Sequence, residues 1–253
     1  MSLLLSGPIW FAGRAGGRER WRLPLPHGVD PTGVVRATLR RAGIDRTGSA
    51  PTPDERVGLP QVVREPDGDL VLVYHLPVAT EPPPAELLTR TTPPRHAPGL
   101  SIAPGEEALT VQRVSASVIV WAQDRLLATR YSTTTGAPGA WALPGGGVDP
   151  GEDPRAGARR ECWEETGQHV RVADLVRLIH RHWIGRAPSG RLEDFHTLGL
   201  VYEADCDEPT SPVVHDVGGS TADAAWVPAA DVPRLGWSAS SRWVAPLAPP
   251  GPG

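Results

Sequence analysis

Between Arg160 and Gly167 the chain reads Arg-Glu-Cys-Trp-Glu-Glu-Thr-Gly, with carboxylates at 161, 164 and 165. On a helix of about 3.6 residues per turn these positions stand at i, i+3 and i+4 and share one face. Like charges so arranged oppose helix formation, and a cation joining them would relieve the repulsion. Clustered oxygen ligands are what hard divalent ions such as Mg²⁺ take, usually together with substrate phosphates. Pro154, Ala158 and Cys162 recur every fourth residue on an adjacent face and are small enough to pack closely on a sheet. The spacing therefore predicts a helix over 154–166, stopped by Gly167, with one packing face and one acidic face. A solvated acidic surface is the plainer alternative, and the residues around the helix weigh against it.

Upstream of the helix lie a turn-rich stretch from Asp149 to Asp153 and the segment Trp141-Ala-Leu-Pro-Gly-Gly-Gly147. Two β-rich runs, 114–121 and 125–131, flank Ala122-Gln123-Asp124 and read as a hairpin. Further strands are expected at 169–183, 195–204 and 224–227. Reading outward, Gly146 is followed after five residues by Glu152 and, after seven more, by Arg160-Glu161-Cys162-Trp163-Glu164-Glu165-Thr166-Gly167. This pattern resembles the Nudix box, and all seven of its fixed positions match over 22 residues. Cys162 stands where a larger aliphatic is usual, and Gln168 where an apolar residue is expected; neither lies on the acidic face. The resemblance covers roughly residues 112–235, including Ala222-Asp223-Ala224-Ala225-Trp226, similar to the family's closing strand.

The resemblance implies a Nudix-type α/β/α sandwich with a mixed sheet and a hydrolase that cleaves a diphosphate linkage. It implies Glu161, Glu164 and Glu165 as ligands of Mg²⁺ or Mn²⁺, with the carbonyl near Gly145 as a further ligand. Gly146, Glu152 and Gly167 are implied as structural positions of the motif, with Arg160 and Glu152 pairing to brace the loop on the helix. Metal ions neutralise a diphosphate and acidify an attacking water, whose proton a carboxylate accepts. Glu161 or Glu164 is implied as that base. Because family members also recruit a base from outside the box, Asp216, Asp223, Glu193 and Asp194 are candidates by position.

Composition narrows the alternatives. All 25 basic residues are arginine, since the chain has no lysine, and it has no asparagine either. Schiff-base chemistry and Walker-type phosphate loops both require a lysine and are excluded. The formal charge is −4 and no long basic run appears, so the expected partner is a small-molecule nucleotide, not a stably bound nucleic-acid scaffold. An RNA end remains open as a substrate. Cys162 and Cys206 alone do not make a disulfide framework, which fits a reducing cytoplasm. The apolar start Leu3–Phe11 lacks a basic leader and is interrupted by Gly7 and Pro8. It is expected as a buried strand, not a signal peptide or membrane span.

The N-terminal third lies outside the resemblance. Strands are expected at 20–25 and 69–76, the latter in a hairpin with 61–64 around Pro66-Asp67-Gly68. Asp30-Pro31 reads as a helix cap and first turn, with Val34, Val35 and Leu39 as the apolar stripe and Gly43 as the stop. Residues 80–110 are rich in Pro and Thr and read as a semi-rigid linker. The expected organisation is a small α+β or irregular region at 1–79, a linker at 80–110, a hydrolase domain at 111–236 and a tail at 237–253.

Weaker signals surround the box. His180, His182 and His196, with Glu193 and Asp194, would line a cleft if the two strands that carry them pair. They are not read as a zinc site, because Cys206 lies beyond the strand and no second thiol accompanies it. Arg186 and Arg191 flank a hairpin loop and are candidates for clamping a phosphate, and Trp141 or Trp183 for stacking on a base. Nucleoside triphosphates, nucleotide sugars and dinucleotides all stay open as substrates. A second function class, a metabolite sensor that keeps the fold without turnover, is disfavoured by the complete carboxylate set. Isomerase chemistry on a prenyl diphosphate would want a cysteine in the cleft, whereas Cys162 falls on the packing side. A homodimer is suggested by family analogy.

Overall fold

The computed structural model describes residues 3–4, 8–44, 58–187 and 189–249. In chain order its elements are β1 (Leu3–Leu4), β2 (Ile9–Ala15), β3 (Arg18–Pro24), α1 (Pro31–Arg41), β4 (Gln61–Arg64), β5 (Leu70–His75), α2 (Ala85–Leu88), β6 (Arg95–His96), β7 (Leu109–Ala122) and β8 (Arg125–Tyr131). They continue with β9 (Trp141–Ala142), β10 (Gly145–Gly147), α3 (Pro154–Thr166), β11 (Arg171–Arg186), β12 (Leu192–Asp205) and β13 (Thr221–Pro228), then 3₁₀ turns at Val232–Arg234 and Arg242–Val244. Two compact units emerge: residues 1–114, 149–153 and 178–199 form one, and 115–148, 154–177 and 200–253 the other. The sequence suggested a cut in the linker near residue 110. The strands β7, β11 and β12 are 14, 16 and 14 residues long, and each is divided between the units.

In the first unit, β3-β2-β5-β4 form a four-stranded sheet. The β2–β3 hairpin turns through Gly16 and Gly17, both at positive φ (57° and 75°), the backbone that a two-residue turn between twisted strands demands. Parallel pairing of β2 with β5 buries Phe11, Leu70 and Leu72 completely. Gly13 leaves room for the Trp21 ring, which a Cβ there would meet at 2.4 Å. Helix α1 starts where Asp30 accepts from the Thr32 amide at 3.1 Å, and it buries Val34, Val35 and Leu39.

Two expectations for this unit need correction. Leu3 to Phe11 is not one strand: Leu3–Leu4 pair with β7, and Ile9 begins β2 in the four-stranded sheet, with residues 5–7 outside those described. Nor are residues 80–110 only a linker. Arg95 and His96, free of the proline restriction between Pro94 and Pro98, add to β11 as the edge strand β6. Arg186 holds Glu106 at 2.8 and 2.9 Å, and the Thr92 amide donates to the Gly28 carbonyl.

The larger sheet has the strand order β13-β8-β7-β12-β11-β6 and is mixed, since β1 and β6 join in parallel and β8 and β13 pair antiparallel. In the second unit α3 buries Pro154, Gly157, Ala158 and Cys162, the face that the sequence assigned to packing. Residues after 236 are more than a tail. Trp237 is buried and donates to the Val232 carbonyl, the Ser238 amide donates to Trp141, and Arg177 lies over the Trp243 ring at 4.5 Å. Among the described residues no helix is long and apolar enough to cross a membrane.

Candidate active site

Strand β10 is built from three glycines paired with β7, Gly145 opposite Ser117 and Gly147 opposite Ser115. A side chain on Gly145, at φ 150°, would meet the Ala116 carbonyl at 2.3 Å, so backbone packing demands glycine. Gly146 has a different reason: its Cβ would fall 2.4 Å from Glu161 Oε2. The carboxylate of the helix thus occupies the space that a side chain in the loop would fill.

Helix α3 supplies the remaining groups. Arg160 Nη1 donates to Glu161 Oε1 at 2.9 Å and to Glu164 Oε2 at 3.0 Å, while Nη2 donates to the Gly147 carbonyl at 3.0 Å. One guanidinium therefore ties two carboxylates to the glycine loop. Glu164 is about one-third exposed and Glu161 less so. Glu165 differs from both, being 3 % exposed. Its Oε2 accepts from the Gly145 amide at 2.8 Å and its Oε1 from the Thr221 hydroxyl. Burial pushes its pKa up from the ordinary 4.5 to about 7, the charges of Glu161 and Asp216 add to the rise, and the two hydrogen bonds oppose it. Gly167, at φ 68°, ends the helix by donating to the Trp163 carbonyl.

The acids suggested outside the box fall in different places. The Asp216 amide donates to the Glu164 carbonyl at 3.0 Å, at the end of α3 in the second unit. Asp223, on β13, is exposed and faces Arg130 at 3.3 Å. Glu152, Arg186, Glu193, Asp194 and His196 belong to the first unit. Glu152 accepts from the Asp149 amide, and its carbonyl accepts from Arg64. Glu193 is wholly buried between Arg113 and Arg191, and Arg186 is engaged by Glu106 and the Ser101 and Gly190 carbonyls. His196 is fully buried with Nδ1 against Gln112 Nε2 at 2.8 Å, and burial, with His180, His27 and His182 nearby, pushes its pKa down to about 3. Trp183 is 43 % exposed and tilts over Phe195, whereas Trp163, which the sequence did not single out, stacks on His215 at 4.5 Å.

Comparison with known proteins fits this geometry. The NUDIX domain family model matches residues 111–247. The chain belongs to that family. The RNA pyrophosphohydrolase of Brucella ovis is 32 % identical over 126 residues, 46 % of this chain and 70 % of that protein. The RNA pyrophosphohydrolase of Roseobacter denitrificans is 60 % identical over 37 residues, 15 % of this chain and 23 % of that protein. A solved MutT protein from Methanosarcina mazei Go1 has a TM-score of 0.42 and 20 % identity, covering 53 % of this chain and 90 % of its own. The fold is the expected mixed α/β Nudix fold, and the chain is a Nudix pyrophosphohydrolase, hydrolysing a pyrophosphate bond.

Sequence reasoning missed two partners of this Nudix chain. Thr221 reaches Glu165 across 56 positions, and His27 reaches Asp194 across 167. No local pattern marks either, because each contact is made by chain folding.

Proposed function

We propose that the chain hydrolyses the diphosphate linkage of a nucleoside diphosphate joined to another moiety, in a reaction that depends on Mg²⁺ or Mn²⁺. The observation that carries this reading is the Gly146 gap filled by the Glu161 carboxylate, with Glu164 held on the same Arg160. The donor set fits a hard divalent ion, which accepts carboxylate oxygens and keeps waters. Glu161, Glu164 and Glu165 would hold it, with the backbone at Gly145 beside them. When bound, such an ion supplies positive charge against the diphosphate and acidifies water.

The chain's own residues account for the rest. Arg160 orients Glu161 and Glu164 and fixes them to the Gly147 carbonyl. Glu164 is the more exposed of the two and is able to accept a proton from an attacking water, with Glu161 as the other candidate. Glu165 is anchored by the Gly145 amide and Thr221 and keeps the loop and helix in register. Hydrolysis is assigned to residues 111–236. Within the substrate class, the phosphorylated 5′ end of RNA is the first member to test, because curated relatives carry the name RNA pyrophosphohydrolase.

The test is phosphate or pyrophosphate release across 5′-triphosphorylated RNA, nucleoside triphosphates, nucleotide sugars and dinucleoside polyphosphates, with Mg²⁺, with Mn²⁺ and with chelator. Cleavage of one class that stops with chelator supports the reading. Tight metal-dependent binding without turnover would replace it with the sensor.

A further inference from the structure

We propose that His27, His182 and Asp194 form a second metal site, for a borderline divalent transition-metal ion of which Zn²⁺ is the probe. All three lie in the first unit, and their donor atoms sit within 4.8 Å of one another. His27 Nε2 is 3.0 Å and His182 Nε2 is 2.7 Å from the same oxygen, Asp194 Oδ1. Donors about 2.0–2.1 Å from a tetrahedral Zn²⁺ stand roughly 3.3 Å apart, so small side-chain shifts admit an ion.

The two hydrogen bonds of His182 independently favour a cation. Its Nδ1 faces the Thr92 carbonyl, which only accepts, so the proton of that bond is on Nδ1. A neutral ring then directs its Nε2 lone pair at a carboxylate oxygen. Either a second proton or a cation must join the two. An imidazole that donates one N–H to a backbone carbonyl and offers the other nitrogen to a metal, beside a carboxylate, is the usual outer-shell arrangement of a metal-bound histidine.

The surroundings are shaped for this convergence. Gly28, at φ 73°, follows His27, and a Cβ there would meet the His182 ring at 2.8 Å. The His182 side chain is 6 % exposed, while His27 and Asp194 are about one-quarter exposed and leave a path for an ion and a water. His27 Nδ1 is buried without a hydrogen-bond partner, and the ring of the fully buried His196 lies 5.4 Å from that of His27. Among the described residues no thiol accompanies these histidines, and His27 supplies the third ligand instead. Two imidazoles and one carboxylate suit Zn²⁺ or Fe²⁺ and suit Mg²⁺ poorly.

The experiment is a Zn²⁺ titration of the untagged full chain in saturating Mg²⁺, read by calorimetry and by competition with a chromophoric chelator. One equivalent is expected to bind, with a melting-temperature rise on the order of 5 °C at about 100-fold excess over the dissociation constant. His27→Gln and Asp194→Asn are each expected to weaken binding by more than about 100-fold, beyond the usual effect of losing an outer-shell partner. Glu164→Gln is expected to bind Zn²⁺ as before, which separates this site from the glutamate helix. X-ray absorption on the wild-type zinc complex keeps the test independent of variant folding: two nitrogen donors at about 2.0 Å support the site, and an all-oxygen shell overturns it. Binding weaker than about 10 µM in the wild type, or full binding retained in both variants, also overturns it.

Discussion

Glu165 and Thr221 meet through a short hydrogen bond inside the second unit, the carboxylate buried at the C-terminal end of α3 and the hydroxyl at the start of β13. This bond opposes the effect of burial and keeps Glu165 from rising further than about 7. Three measurements follow from this arrangement and its neighbours, and a fourth concerns helix α1 of the first unit.

The Glu165 carboxyl takes up a proton more readily when folded than when unfolded, so its contribution to stability is present below about pH 4.5 and is lost as pH rises to about 7. In chelator, the unfolding free energy from urea titration is expected to fall across that window by an amount on the order of 3 kcal/mol. Glu165→Gln removes this slope. A slope unchanged in the variant would place the titration elsewhere.

Glu164→Gln keeps the side chain's shape and its bond to Arg160 while removing its charge. Turnover is expected to fall by about two orders of magnitude or more, with little change in melting temperature, as for a lost base or metal ligand. Equal turnover in a phosphate-release assay would remove Glu164 from the reaction.

Gly145 and Gly146 are adjacent, yet alanine at each is expected to fail differently. At Gly145 the new methyl meets the backbone carbonyl of Ala116 at 2.3 Å, and stability should drop by about 2–4 kcal/mol. At Gly146 the nearest atoms belong to the movable end of Glu161, so folding should survive and activity fall at least about 10-fold. Thermal melting and kcat, measured side by side, separate the two.

Asp30→Ala removes the acceptor for the Thr32 amide at the start of α1. A loss of about 1 kcal/mol is expected in chemical denaturation. Asp30→Ser should recover most of it, and no loss in the alanine variant would show that solvent caps this helix equally well.

What could be read in advance was local. The helix 154–166 has the bounds expected from Pro154, the small-residue stripe and Gly167, because capping and periodicity act within a few residues. The Asp30-capped helix and the β4–β5 hairpin were legible for the same reason. The full reach of β11 and β12 was not, since strand ends depend on which neighbours continue the ladder. Edge strand β6 was hidden by the prolines on either side of it, Pro94 and Pro98.

The sequence by itself determined that one helix carries three carboxylates on a shared face, because the types and spacing of Glu161, Glu164 and Glu165 are one-dimensional facts. It did not distinguish among them. The tertiary structure separated Glu165, buried on Thr221 and the Gly145 amide, from Glu161 and Glu164, which share Arg160. It also brought His27 to Asp194 and His182. Burial and long-range pairing are properties of the folded chain, set by which surfaces leave water together, and no spacing along the sequence records them.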